Sequence, residues 1–375
     1  MANDFCRFLS NGYRIKSSGT TLTYAPCCWF TKEIPIINNV NFDAEKAEIS
    51  SIDSWVPECG SCKQLEESGV YGERSPRLRS FLEIPNSSIP DNVPGWMEVT
   101  IDTTCNAACI MCGPHHSTTW LRQEIKLGIK SQETYDNLVD PLEWFKIIKN
   151  KFSFNYIKSI SFLGGEPFES KVPIEFLKEL KKVQGELGEI KVHFQTNGSI
   201  RPSNELITLL AEVKDVAYNV SLDAIGNKFE YIRYPLKWNR VEDTLNYVQN
   251  LDLPKLKFIF LATINPLNAY YYDEVEKWVK DNVLPSKLFR PELKISILPN
   301  RARGILDLAK TPIKLRENIL EKYGDSHAVS KLFSNLEMDN RNFLMLNYLA
   351  RLDKQRHTDC REIFPDIIPL LEKKE

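Results

Sequence analysis

Cys105-Asn106-Ala107-Ala108-Cys109-Ile110-Met111-Cys112 stands directly after Trp96-Met97-Glu98-Val99-Thr100-Ile101-Asp102. The second stretch alternates with period two, as a strand does. Three cysteines are therefore expected on the loop at a strand's carboxyl end. Working outward, further strand candidates are Ile157 to Leu163, Ile190 to Phe194, Val216 to Leu222, Leu256 to Thr263 and Leu293 to Leu298. Helical spacing lies between them: Leu177, Leu180, Val183 and Leu187, then Leu206, Leu210 and Val213, then Val241, Leu245 and Val248.

Strands that alternate with helices imply a parallel sheet, because parallel strands need a crossover connection. The expected fold is α/β: a partial (β/α)6 TIM-type barrel, two units short of the closed eight-stranded form. Around it the texture changes. Residues 1–92 are rich in Cys, Ser and Gly with weak periodicity, residues 93–300 carry the barrel, and residues 301–375 read as a helical extension. Ser87 to Pro94 has the composition of a linker. In the extension, Pro312 suits a first helical turn and Gly324 a stop after Tyr323, and a longer helix is expected to about Leu352.

The 375 residues are 42% hydrophobic and 26% charged, with a formal net charge of -2. No basic excess points to nucleic acid or an anionic membrane, and no apolar run approaches the roughly 20 residues of a bilayer span. The polar start lacks the pattern of a secretory signal, so a cytoplasmic protein is expected. Such a compartment keeps thiols reduced, so the nine cysteines point to metal or catalysis.

Thiolates favour zinc or iron–sulfur clusters. Cys105, Cys109 and Cys112 can hold three corners of a [4Fe–4S] cube and leave one iron open, whereas an electron carrier wants four ligands. Taken alone, the triplet also suits structural zinc completed by His115 or His116. The C-x3-C-x2-C spacing after the first strand resembles the signature of the radical S-adenosylmethionine (SAM) superfamily, with Met111 where many members have an aromatic residue. The resemblance covers about residues 95 to 300. It implies a [4Fe–4S] cluster that binds SAM and cleaves it to a 5′-deoxyadenosyl radical, which takes a hydrogen atom from substrate.

Later strand ends extend the resemblance in order. Gly164-Gly165-Glu166-Pro167 resembles the turn that holds SAM's amino group. Asn197, in Gln195-Thr196-Asn197-Gly198, ends the third strand. Ser221 and Asp223 end the fourth, where relatives contact SAM's ribose or methionyl part, and Arg233 matches an arginine that pairs with its carboxylate. Asn265 and Leu298 stand at the fifth and sixth exits, where backbone groups would hold adenine. Each also has a plain alternative as a turn or surface residue. Catalytic groups of parallel barrels gather at strand carboxyl ends, and all of these fall there.

Cys6, Cys27, Cys28, Cys59 and Cys62 form a second set, with Cys59 and Cys62 in a C-x2-C pair. Cys6, one of Cys27 and Cys28 (Cys27 favoured), and that pair would close an auxiliary iron–sulfur cluster, or a zinc ribbon. The set resembles a twitch domain, the short form of a SPASM domain, with Gly19 and Tyr24 to Cys28 as its hairpin. Here it precedes the barrel instead of following it. Cys360 reads as an ordinary thiol and His193 as a core histidine. The expected activity is radical oxidation or cross-linking of a peptide or protein, with the auxiliary cluster taking an electron. The alternatives are dehydrogenation or rearrangement of a sugar- or alcohol-like small molecule, and a zinc-stabilised binding protein without enzyme activity. A reducing partner such as flavodoxin or ferredoxin is implied; nucleic acid and membrane are not.

Overall fold

The computed structural model describes all residues except 1–4, 68–75, 85–88, 254, 284–293, 302–303, 334–335, 337–341 and 373–375. Its strands are β1 (Gly12–Ser17), β2 (Leu22–Ala25), β3 (Ile34–Pro35), β4 (Trp96–Thr100), β5 (Ser159–Phe162), β6 (Lys191–Thr196), β7 (Asp215–Ser221), β8 (Lys257–Ile264) and β9 (Lys294–Arg301). They form one nine-stranded sheet in the order β3-β2-β1-β4-β5-β6-β7-β8-β9. From β4 to β9 every neighbour is parallel. This is an α/β fold with one largely parallel sheet, as the alternation of strands and helices implied.

The N-terminal hairpin is part of that sheet. β1 pairs antiparallel with β2 but parallel with β4, with Arg14 beside Glu98 and Lys16 beside Thr100. Residues 1–92 and 93–300 thus share a sheet. The hairpin turns at Gly19, at φ +94, a left-handed conformation that glycine adopts without strain. Of the expected linker, Ser87 and Ser88 lie outside the described residues. The rest is tethered at its ends: Ile89 and Pro94 are buried, Pro90 to Asn92 are exposed, and Asn11 Nδ2 donates to the carbonyls of Pro90 and Val93 at 2.8 and 2.9 Å.

Alternation along the strands sorts their faces. In β6, Val192, Phe194 and Thr196 are buried while Lys191, His193 and Gln195 are only partly so, and β8 repeats the pattern. The helix-covered face is aromatic. Phe176, on the helix Val172–Gln184, meets Phe145, Phe154 and Phe162 at 4.7, 5.6 and 5.8 Å. Such a fully buried ring contributes on the order of 3–5 kcal/mol. The other face is polar: in register across it lie Arg14, Glu98, Ser161 and His193.

Some boundaries differ from the sequence pattern. The helix expected through Leu187 stops at Gln184, because Gly185 turns the chain at φ +82. Val183 is exposed and Leu187 is buried beyond the helix. The next helix likewise ends at Leu210, short of Val213. β9 runs on to Arg301, so Leu298 lies mid-strand beside Leu261 rather than at an exit; Leu293 lies outside the described residues. His193 is not a satisfied core histidine: its Nε2 has no hydrogen bond among the described residues and lies 3.9 Å from Glu83. The helix Ile313–Tyr323 begins after Pro312 and stops at Gly324 as expected. The longer helix is broken, with Ala328–Lys331 followed by Asn342–Arg356. No helix of the described residues is long and apolar enough to cross a membrane.

Candidate active site

The three loop cysteines face one cavity of about 420 Å³, which Gly164, Gly165, Gln195, Thr196, Asn197, Ser221, Arg233, His115 and His116 also line. It lies at the carboxyl ends of β4, β5, β6 and β7. Its volume falls in the range of small-molecule sites, roughly 300–1,000 Å³.

The loop is held by its own carbonyls. Thr119 Oγ1 donates to the oxygen of Cys105 and Ser117 Oγ to that of Ala107, both at 2.5 Å. Arg356 Nη2 donates to Ala108, Trp120 Nε1 to Cys109 and Tyr348 OH to Ile110, at 2.7, 2.8 and 2.7 Å. Amides are used as well: Ala108 N and Ile110 N donate to the carbonyls of Tyr234 and Ile232. Ser117 also caps the helix Thr118–Lys126 by accepting from Trp120 N. These contacts tie down the main chain that carries the three sulfurs.

Gly164 and Gly165 line the cavity and also meet the chain's own backbone. They allow the β5 exit to approach the chain's own backbone. A Cβ on Gly164 would lie 2.5 Å from the Asp102 oxygen, and one on Gly165 would lie 2.0 Å from the Thr104 oxygen. Gly165 N and Glu166 N donate to those two carbonyls at 2.8 and 2.7 Å.

Glu166 is turned inward, not toward the cavity. Its carboxylate accepts from Thr196 Oγ1 and Asn197 N at 2.7 Å each, and from Phe168 N at 3.2 Å. Burial pushes its carboxyl up to about 7 against those donors. It clamps the β5 exit to the β6 exit, and Pro167 follows it in the turn. Asn197 continues the chain of contacts, donating through Nδ2 to Asn106 Oδ1 at 2.8 Å.

Arg233 lines the cavity but is already paired. Its Nη2 lies 2.7 Å from Asp223 Oδ2, and its Nη1 3.6 Å from Cys109 Sγ. Asp223 in turn accepts from Thr263 N at 2.6 Å and is fully buried. Ser221 lines the cavity directly. Asn265 does not: it is buried in its own turn, accepting from Leu267 N at 2.9 Å.

The buried loop thiols are soft donors of the kind that hold metal. Burial, and the nearness of the other sulfurs, push the Cys105 thiol up, and burial pushes Cys109 up to about 11. Buried thiolates therefore need metal charge beside them. Tetrahedral zinc would draw its sulfurs to about 3.8 Å apart. Among the described residues the only Cys, His, Asp or Glu group within 4.8 Å is Asp353, Asp359 and Cys360. That group is a helix cap, with Asp353 accepting from Cys360 N and Thr358 Oγ1. Cys105, Cys109 and Cys112 face one cavity and are the donor type that iron–sulfur clusters take.

Residues 99–281 match the model of the Radical SAM superfamily. This part of the chain belongs to that superfamily of enzymes. The GTP 3′,8-cyclase of Petrotoga mobilis is 28% identical over 131 residues, which is 35% of this chain and 35% of the relative. Among solved structures, Streptococcus suis SuiB bound to S-adenosylmethionine is similar over 80% of this chain and 59% of its own, at 14% identity and TM-score 0.35. Native anSMEcpe with bound AdoMet is similar over 66% of this chain and 64% of its own, at 18% identity and TM-score 0.39. The chain thus spans about a third of the curated relative and less than two thirds of these solved chains.

Outside the radical SAM stretch, the N-terminal thiols lie within electrostatic reach of one another. Cys27 feels Cys28 first and then Cys6, Cys59 feels Cys6, and Cys62 feels Cys6 and Cys59. The charges that reach the exposed Cys28 are instead Glu98, Arg79 and Arg14. Tyr348 and Arg356 carried no signal in the sequence, whereas Ser117 to Thr119 did, as a helix start directly after the cysteines.

Proposed function

We propose that the chain is a radical SAM enzyme acting on a peptide or protein, with an auxiliary cluster at Cys6, Cys27, Cys59 and Cys62 that takes an electron. One observation carries the radical part: a single cavity joins the three loop thiols to the Gly164-Gly165 turn, Asn197, Ser221 and Arg233. When bound, the cluster and SAM supply an organic radical by one-electron cleavage of the sulfonium. The chain's own residues orient that pair. Cys105, Cys109 and Cys112 would hold three irons. Carbonyls of the Gly164-Gly165 turn and the Ser221 hydroxyl are the acceptors at hand for SAM's amino and ribose groups. Arg233, kept in place by Asp223, presents its remaining donors to an anionic group beside Cys109. The peptide substrate and the auxiliary cluster rest on the likeness of the N-terminal thiol set to a twitch region.

The test is anaerobic incubation of iron- and sulfide-reconstituted protein with SAM and dithionite. We expect 5′-deoxyadenosine to form. Protein that carries zinc without iron and forms none would return the chain to the zinc-stabilised binding class. Iron content tests the auxiliary set separately. Cys27→Ser is expected to lose about four irons per chain, one cluster's worth, and Cys28→Ser to lose none. The reverse pattern would assign Cys28 as the ligand.

A further inference from the structure

We propose that Arg356 is a positioning residue for the cysteine loop that supplies a fixed counter-charge to the cluster and raises its reduction potential. The inference rests on the assignment of Cys105, Cys109 and Cys112 as cluster ligands.

Arg356 ends the helix Asn342–Arg356, more than two hundred residues from the loop it touches. Its Nη2 donates to Ala108 O at 2.7 Å and reaches Gln123 Oε1 at 3.4 Å. The guanidinium carbon lies 4.9 Å from the Trp120 ring centre and 4.7 Å from that of Tyr234. Tyr348, two helical turns earlier, donates to Ile110 O. The carbonyls on both sides of Cys109 are thus held by one helix.

What Arg356 lacks is an anion. It is 6% exposed, and its Nε has no hydrogen-bond partner among the described residues. No carboxylate among the described residues forms an ion pair with it. Arg233, by contrast, has Asp223. An unpaired buried cation costs several kcal/mol, and ring faces offset only part of that. The carbonyl it holds belongs to the residue before Cys109, whose sulfur is an anion once it holds iron. A guanidinium stays charged at any working pH. One-electron reduction adds a negative charge to a thiolate-held cluster, so a fixed cation nearby favours the reduced state.

The experiment is a redox titration of reconstituted wild type, Arg356→Gln, Arg356→Lys and Gln123→Glu, following the electron-paramagnetic signal that responds to SAM. Poised at the wild-type midpoint, Arg356→Gln is expected to hold a reduced-to-oxidised ratio about tenfold lower, a fall of about 59 mV for one electron. Arg356→Lys keeps the charge and is expected within about twofold of wild type. Gln123→Glu leaves the clamp intact but pairs the guanidinium, so its ratio is expected about threefold lower. It gives an answer even if Arg356→Gln does not fold. A loaded wild type whose midpoint neither Arg356→Gln nor Gln123→Glu moves would overturn the inference and leave the cluster assignment standing. A wild type that takes up no cluster with a SAM-responsive signal would overturn both.

Discussion

Replacing Cys105, Cys109 and Cys112 together by alanine is expected to lower 5′-deoxyadenosine formation at least about 1,000-fold, a loss of about 4 kcal/mol of barrier reduction. The three sulfurs are the thiols of the cavity, and no other cysteine lines it. The fold should survive. The loop's position rests on its main-chain carbonyls and amides, which alanine keeps. Removing two buried sulfurs and the half-buried one of Cys112 costs about a few kcal/mol at most, by comparison with other small deletions in cores. Iron should fall by about four per chain while the N-terminal set keeps its share. Equal turnover by the variant and wild type would remove the triplet from the chemistry. Loss of all iron would mean that the two sets are not independent.

Gly165→Ala is expected to cost about 3–5 kcal/mol of stability, from overpacking and the loss of two hydrogen bonds. The added methyl would meet backbone on the facing side: the Thr104 oxygen at 2.0 Å, the Thr104 carbonyl carbon at 2.5 Å and the Thr103 carbonyl carbon at 2.8 Å. None of these is the movable end of a side chain. The β5 exit must therefore back away from the chain that leads into Cys105, breaking the Gly165–Asp102 and Glu166–Thr104 hydrogen bonds. SAM binding should fail with it. Gly188→Ala is the control: a Cβ there meets nothing within 4 Å, so it should change stability by less than about 0.5 kcal/mol. Urea denaturation reads the stability, and equilibrium dialysis of labelled SAM reads the binding. A Gly165→Ala protein that matches wild type in both would mean that the two loops do not need this contact.

The site was legible to different depths. The triplet, the glycine turn, Asn197, Ser221 and Arg233 could all be marked, because each follows a strand and strand ends converge in a parallel sheet. Their duties could not. Glu166 carries the residue type of a ligand acceptor, yet its carboxylate is used on Thr196 and Asn197. The Asn265 side chain closes its own turn, accepting from Leu267 N. Side-chain chemistry is the same in both roles. Only the distance to a partner tells them apart.

By itself, the sequence determined the alternation of strands and helices, the loop that carries Cys105, Cys109 and Cys112, and the family of residues 99–281. These are local: period, spacing and turn chemistry act over a few residues. Tertiary structure alone decided the rest. It joined β1 to β4, so that the N-terminal hairpin extends the sheet. It left Cys28 exposed and Cys27 partly buried, though the two are adjacent and identical in type. It also brought Arg356 onto the carbonyl of Ala108. Pairings across that many residues depend on how whole elements pack, and a chain's local pattern carries no record of which distant element will satisfy a given backbone oxygen.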